Sequence, residues 1–426
     1  MNELQRKKFF LTVGLISLLC TLTVAAGEPF RPIEGEFPSL EQAHSYRGEL
    51  VFVDHANRRG SIRIDGGGRF RFASPSPFAM LPYGIVRYRG APADLRDIPL
   101  GTLLYVKAFL PPDPHVSSVP VLPVDNRLKK LGNAGTGVAP AENHVLLLED
   151  DLSHNLRLGL KWELTEINVT AKGSTLTATR RTVNGSDAVD GSETFSFDAA
   201  TRIWRGRELL ELTDMIRNQT WPASGQKVLD RQEVHLGISW KPTPGAIFTR
   251  FHIVDIWLDG ISLTRATRRQ SEKHKDFIHG RWMPAKVDAV EYGKFGNAKV
   301  TATLFGGMDE SLYADFKNGS GAMMAASENT LKHWASGTAG TAQMASKGVL
   351  TMVQRKKDNT SIGSSGIQVT LETDLVTEGF RPGRIVRIRP NNWPLVEVPR
   401  DEYLHDGRNT INDRFPTPDI FPNIGN

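Results

Sequence analysis

The sequence predicts a mainly β protein made of tandem small β-barrel modules with a few connecting helices. From residue 47 to residue 390, short runs of β-branched and aromatic residues alternate with Gly, Pro, Asn and Asp. Hairpin-like openings recur near residues 47, 161 and 285, a spacing typical of one small domain. The chain has 426 residues and is therefore long enough for several such units.

Each opening is a β-prone run, a turn rich in Gly, Asn or Ser, and a second β-prone run. In the last of them, Val300, Ala302 and Leu304 alternate with polar residues, which is the pattern of a strand with one buried face. The three pairs of runs are 49–54 with 61–64, 162–170 with 175–179, and 286–290 with 299–304.

Composition excludes several classes of protein. A hydrophobic content of 39% with 23% charged residues does not fit a polytopic membrane protein, a coiled coil, a collagen or a wholly disordered chain. A single cysteine excludes a disulfide scaffold and a four-cysteine zinc module.

The first 26 residues have the pattern of a secretory signal peptide. Three basic residues precede an uncharged run from Phe9 to Gly27, and Val24-Ala25-Ala26 supplies the small residues of a cleavage site. We therefore expect export to the periplasm or the cell exterior, with no transmembrane span after cleavage. If the segment is not cleaved, it is a membrane anchor. Cleavage removes the only cysteine, Cys20, so no cofactor or metal bound through thiolate is expected.

The remaining chain divides by composition into modules and connections. Residues 111–143 are rich in Pro and Gly, which is typical of a linker, and residues 261–282 are basic and predict a helix. The predicted organisation is a first module at 27–110, the linker at 111–143, a second module at 144–260, the helical connector at 261–282, a third module at 283–400 and an extended tail at 401–426.

The closing parts of the modules also recur. Residues 88–102 (YRGAPADLRDIPLGT) and 380–386 (FRPGRIV) each place a glycine before or within a hydrophobic strand, and residues 203–206 (IWRG) resemble part of the first phrase. About five strands in each module, with a long first strand, resemble the OB-fold. Through these phrases the whole chain resembles uncharacterised secreted bacterial proteins built from such barrels. The resemblance implies a fold and carries no activity.

The catalytic motifs with a recognisable spacing are missing from the sequence. It contains no G-x-S-x-G, no P-loop, no H-E-x-x-H and no EF-hand loop. We therefore favour a non-catalytic exported protein with a binding or envelope-structural role and no cofactor. A secreted glycan hydrolase or lyase, with carboxylates in a cleft between modules, is an alternative, because such pairs have no sequence spacing.

Two sets of residues are candidates for binding. Six of the eight tryptophans lie in the middle module, and of these Trp221 and Trp204 are the candidates for an aromatic binding platform. His235, His252 and Asp255 could converge from neighbouring strands on a metal ion, which gives the third hypothesis, an exported metal-binding protein. A glycan or an envelope protein is the expected partner. Export and the mild basic excess of +5 disfavour nucleic acid.

Overall fold

The computed structural model confirms a mainly β protein with three small β-barrels. It describes residues 36–55, 58–65, 75–110, 143–169, 174–183, 188–218, 232–242, 249–325, 345–356, 361–374 and 380–394. The predicted signal peptide, most of the predicted linker, Trp221 and the predicted tail lie outside the described residues.

The first barrel is a ring of five strands with one short extra strand. Its order is β1–β2–β3–β6–β5 and back to β1, with β4 paired to the end of β3. The pair β3–β6 is parallel, and the other pairs are antiparallel. The strands are β1 His44–Asp54, β2 Arg59–Ile64, β3 Ser76–Tyr88, β4 Ala91–Ala93, β5 Leu103–Phe109 and β6 Asn143–Asp150.

The second barrel repeats this order. The ring runs β7–β8–β9–β13–β12 and back to β7, and β13 again pairs in parallel with β9. A five-stranded ring of this kind resembles the OB architecture. The strands are β7 Leu160–Asn168, β8 Ser174–Thr182, β9 Ala188–Phe197, β10 Arg202–Arg205, β11 Glu208–Leu210, β12 Glu233–Pro242 and β13 Thr249–Trp257.

The third barrel closes differently. Its six strands follow the order β14–β15–β18–β17–β16–β19, and every pair in the ring is antiparallel. The strands are β14 Met283–Tyr292, β15 Ala298–Phe305, β16 Gly321–Ala325, β17 Ala345–Arg355, β18 Ser364–Thr373 and β19 Ile385–Pro390.

Four α-helices connect these strands in the described chain. They are α1 Asp151–Leu158, α2 Leu212–Arg217, α3 Gly260–Arg281 and α4 Glu310–Ala314. Short 3-10 helices lie at Leu40–Gln42, Leu95–Asp97 and Lys294–Gly296. None of the helices in the described ranges combines the length and apolarity that crossing a bilayer requires.

The three predicted hairpins are present as β1–β2, β7–β8 and β14–β15. One predicted boundary differs from the structure. Residues 144–150 were expected to open the second module, whereas β6 completes the first barrel between β3 and β5. The physical reason is burial, because Val145 and Leu148 pack in the first core while Leu146 packs on the outer face of the barrel. A strand buried on both faces must pair on both edges.

Helix α3 lies where the sequence predicts a helical connector, and it contacts all three barrels. Arg265 donates to the carbonyl of Arg207 in the second barrel, and Thr267 donates to the carbonyl of Arg89 in the first barrel. Ile278 packs in the core of the third barrel. The barrels also meet directly, since the amide of Trp240 donates to the carbonyl of Gly101 at 2.8 Å. The modules therefore share interfaces rather than standing apart.

Candidate functional site

The structure brings two of the predicted site residues together on the outer face of the second barrel. The indole Nε1 of Trp204 donates to Oδ1 of Asp255 at 3.0 Å. This contact follows from the parallel pairing of β10 with β13, which places Trp204 beside Trp257 and Arg202 beside Asp255. Between them, Ile203 and Ile256 point into the core.

Asp255 is the centre of this site. Its Oδ2 accepts from Nη2 of Arg202 at 2.6 Å and from Nη2 of Arg89 at 3.0 Å. With the Trp204 contact, three donors compensate a carboxylate that is only 2% exposed. A buried carboxylate needs such donors, because an unpaired charge away from water is very costly. We call these four residues, Arg89, Arg202, Trp204 and Asp255, the junction cluster.

Arg89 reaches the cluster from the first barrel because its backbone is fixed in a tight turn. Arg89 and Gly90 both have positive φ, 54° and 75°, as the two central residues of a hairpin turn between β3 and β4 do. The carboxylate of Asp150 accepts from the amide of Arg89, and Ser153 Oγ accepts from the amide of Gly90. The junction cluster therefore depends on the packing of both barrels.

The electrostatics of the cluster favour an anion. The side chains of Arg89 and Arg202 are 30% and 49% exposed, whereas that of Asp255 is 3% exposed. Two guanidinium groups thus face solvent around one buried negative charge. Arg89 also lies over the ring of Tyr88, with its Cζ 5.1 Å from the ring centroid, and this contact restricts its motion further.

The predicted metal residues do not form a coordination group. Asp255 is occupied by the arginines and Trp204. His252 is 8% exposed and its Nδ1 lies 3.0 Å from Ser196 Oγ. His235 is half-buried opposite Trp257, and burial lowers its pKa. Across the described ranges there is no set of three His, Cys, Asp or Glu side chains arranged to hold a metal ion.

His252 also belongs to a serine–histidine–aspartate arrangement, which we tested as a nucleophilic site. Ser196 Oγ is within 3.0 Å of both His252 Nδ1 and the carbonyl of Phe251, and Asp198 Oδ2 is 3.8 Å from His252 Nε2. In the catalytic triad the nucleophile contacts Nε2 and the carboxylate contacts Nδ1, so the two nitrogens are exchanged here. Ser196 is only 5% exposed, so a substrate carbonyl has no path to it. These contacts instead hold β9 against β13 where the second barrel closes.

A second polar feature is a groove of about 320 Å³ between α3 and α4. Its polar groups already interact with one another and with their surroundings. Asp315 accepts from the indole of Trp393 at 2.8 Å, and Glu272 lies 3.6 Å from Arg268. The groove is lined by Glu272, Lys275, Asp276, His279, Ser311, Leu312 and Asp315.

The other described tryptophans of the middle module do not form an aromatic platform. Trp162, Trp240, Trp257 and Trp282 are buried, and the indole of Trp162 donates to Asp151 at 2.7 Å. The outer face of β8 and β9 carries hydroxyls instead, with Thr177 bonded to Thr194 and Thr179 bonded to Ser192. Trp204 is the half-buried exception.

Arg89 and Arg202 are the site residues that sequence reasoning missed. Arg89 lies in YRG, the start of the phrase at 88–102 that the sequence analysis singled out, and Arg202 precedes the similar phrase IWRG. A further signal was available. Asp-x-x-Ser occurs at Asp150 and at Asp259, and aspartate is one of the residues preferred at a helix N-cap. Both aspartates anchor hairpin turns next to the cluster.

Comparison with protein families, with curated proteins and with solved structures finds no match to this chain.

Proposed function

We propose that this chain is an exported, non-catalytic binding protein whose ligand contacts the junction cluster. The observation that carries the proposal is the pair of half-exposed arginines held by one buried carboxylate beside the half-buried Trp204. A guanidinium that is already fixed loses little conformational freedom when it binds a ligand, and this favours recognition.

The hydrogen bonds of Asp255 and the burial of Ser196 support ligand binding rather than catalysis. The carboxylate of Asp255 is saturated with donors, and the hydroxyl of Ser196 is buried against Phe251 and His252. A general acid or base must reach its substrate, and a nucleophile must be accessible. Neither group meets that requirement.

The predicted signal peptide supports an exported location. The three basic residues, the uncharged run and the small residues before Gly27 are the features on which this part of the proposal rests.

The test is a ligand screen with the chain from Gly27 onward. Neutral and acidic glycans, divalent metals and oligonucleotides are compared by thermal shift, because a ligand that binds only the folded state raises the unfolding midpoint. We expect a shift with at least one class and no release of reducing ends from any glycan. Release of reducing ends would contradict the proposal and favour a glycan hydrolase, and a shift only with metals would favour the metal-binding hypothesis.

A further inference from the structure

The β10–β11 hairpin and the first half of α3 carry guanidinium groups that the junction cluster does not use. Arg207 lies in the hairpin turn, and Arg269 lies one helical turn after Arg265 on α3. Both are exposed, and neither side chain makes a hydrogen bond or an ion pair within the part of the chain that the structure describes. We call Arg89, Arg202, Arg207, Arg265 and Arg269 the arginine surface.

These arginines belong to one continuous region. Arg89 and Arg202 share Oδ2 of Asp255, and Nη1 of Arg265 binds the carbonyl of Arg207 at 3.0 Å. Arg202 begins β10 and Arg207 lies in the turn beyond its last residue, Arg205, so the length of the strand, about 10 Å at the rise of an extended strand, separates the two. A ligand that contacts both ends must therefore be longer than a single small anion.

The carboxylates of this region leave the surface positive. Asp255 is buried, and Asp259 is engaged with the amides of Gly206 and Ser262. Glu272 lies beside Arg268 at 3.6 Å, and Glu208 is exposed in the hairpin. The arginines of the surface therefore outnumber the carboxylates that face solvent with them.

Apolar groups accompany the arginines. Trp204 pairs with Leu209 across the hairpin, and Leu209 is 55% exposed. Ile261, at the start of α3, is 68% exposed. Sugar rings present C–H faces that pack on such side chains, and their carboxylates match the fork of a guanidinium.

We infer that the arginine surface binds an acidic polysaccharide, with carboxylates of successive sugars on Arg89 and Arg202 at one end and on Arg207 and Arg269 at the other. This inference rests on the proposed function and specifies its ligand. The mixed apolar and cationic surface and the predicted export favour a carboxylated glycan over nucleic acid or an anionic lipid surface.

The experiment measures binding of the chain from Gly27 to polygalacturonate by calorimetry at low and high salt. The first variant is Arg207→Ala/Arg269→Ala, which removes two exposed side chains that make no hydrogen bond or ion pair with the described residues, so the fold is expected to be unchanged. Lys299→Ala/Lys317→Ala, on exposed positions of the third barrel, is the matched control for charge. Arg202→Lys keeps the charge at the cluster and removes the planar fork.

The arginine double variant is expected to weaken binding by at least about tenfold at low salt, and the difference shrinks as salt screens the charges. The lysine control changes binding by less than about twofold. Arg202→Lys weakens binding although the net charge is kept. Unfolding midpoints are measured for every variant, so a loss of fold is recognised.

Other results would overturn the inference in distinguishable ways. Equal binding to neutral dextran, or binding that the arginine variants do not affect, removes the acidic-polysaccharide claim and leaves a binding protein. Binding only to a single-stranded oligonucleotide or to vesicles of anionic lipid assigns a different partner. Binding to none of these probes contradicts the inference, and it leaves an envelope protein as the ligand of the proposed function.

Discussion

The first and second barrels fix their last strand to a helix by the same arrangement, yet the two copies lie in different surroundings. In the first, Asp150 caps α1 through the amide of Ser153 and accepts from Arg89. In the second, Asp259 caps α3 through the amide of Ser262 and accepts from Gly206. Asp150 is buried, whereas Asp259 is half-buried. The two caps make the same kinds of hydrogen bond but differ in burial, so a difference in their properties reports the effect of burial.

The environment reverses the direction in which the pKa of the two caps is shifted. Burial raises the pKa of Asp150 to about 6, against the hydrogen bonds from Ser153 and Arg89. At Asp259 burial also opposes ionisation, but the hydrogen bonds from Ser262 and Gly206 outweigh it and lower the pKa. Two aspartates with the same kinds of donor thus differ: burial favours the protonated form of Asp150 in the first barrel, and the hydrogen bonds favour the carboxylate form of Asp259 in the second.

Removing the buried cap should destabilise the fold more than removing the half-buried one. Asp150→Ala leaves the amides of Arg89 and Ser153 without acceptors and without water, so we expect a loss of about 2–4 kcal/mol in the free energy of unfolding. Asp259→Ala exposes its amides to water and should cost about 1 kcal/mol. Chemical denaturation of both variants measures the difference. Equal losses would show that burial does not distinguish the two caps.

The two caps should also contribute to stability in opposite pH ranges. The pKa of Asp150 is raised on folding, so its contribution to stability is present in acid and is lost as pH rises from about 4 to about 6. Over that range, the stability of the natural chain relative to Asp150→Asn should fall by about 2–3 kcal/mol. The pKa of Asp259 is lowered, so its contribution is present above its unfolded pKa and is lost in stronger acid.

Denaturation curves of the natural chain, Asp150→Asn and Asp259→Asn at several pH values between 3 and 7 provide this test. Differences between variants are used because other groups titrate in the same range. Burial lowers the pKa of His144 and of His274 to about 4, so both histidines destabilise the fold in acid. Profiles with the same sign for both aspartate variants would contradict the account.

The first two barrels also differ where a parallel strand pair closes each ring. The residues compared are His144 in the β3–β6 pair and His252 in the β9–β13 pair. His144 pairs in register with Ala79, and neither ring nitrogen has a hydrogen-bond partner in the described chain. His252 pairs in register with Ser196, whose hydroxyl contacts its Nδ1. Ser196 therefore gives His252 a contact that Ala79 cannot give His144, and this structural role accounts for a serine beside His252.

The hairpins could be predicted from the sequence because the two strands of each hairpin are neighbours along the chain. The turn before each second strand predicts β1–β2, β7–β8 and β14–β15, and in the last of them the alternation at Val300, Ala302 and Leu304 adds to the signal. The parallel closures could not be predicted in this way, since they join strands that are distant in sequence. For the same reason β6 was placed in the wrong module.

The candidate site was predicted only in part. Trp204 and Asp255 were named, but for separate roles, and their contact depends on the parallel register of β10 and β13. Arg89 comes from another barrel, so no spacing in the sequence connects it with Asp255. The resemblance to secreted proteins of tandem barrels stays a prediction, as does export.

Hydrogen–deuterium exchange of the chain from Gly27, with and without polygalacturonate, tests most directly whether the junction of the first two barrels is the ligand site. We expect slower exchange at the β10–β11 hairpin, at the turn after β3 and in the first half of α3. Protection that appears instead on the outer face of β7, β8 and β9, or in the groove between α3 and α4, would contradict it.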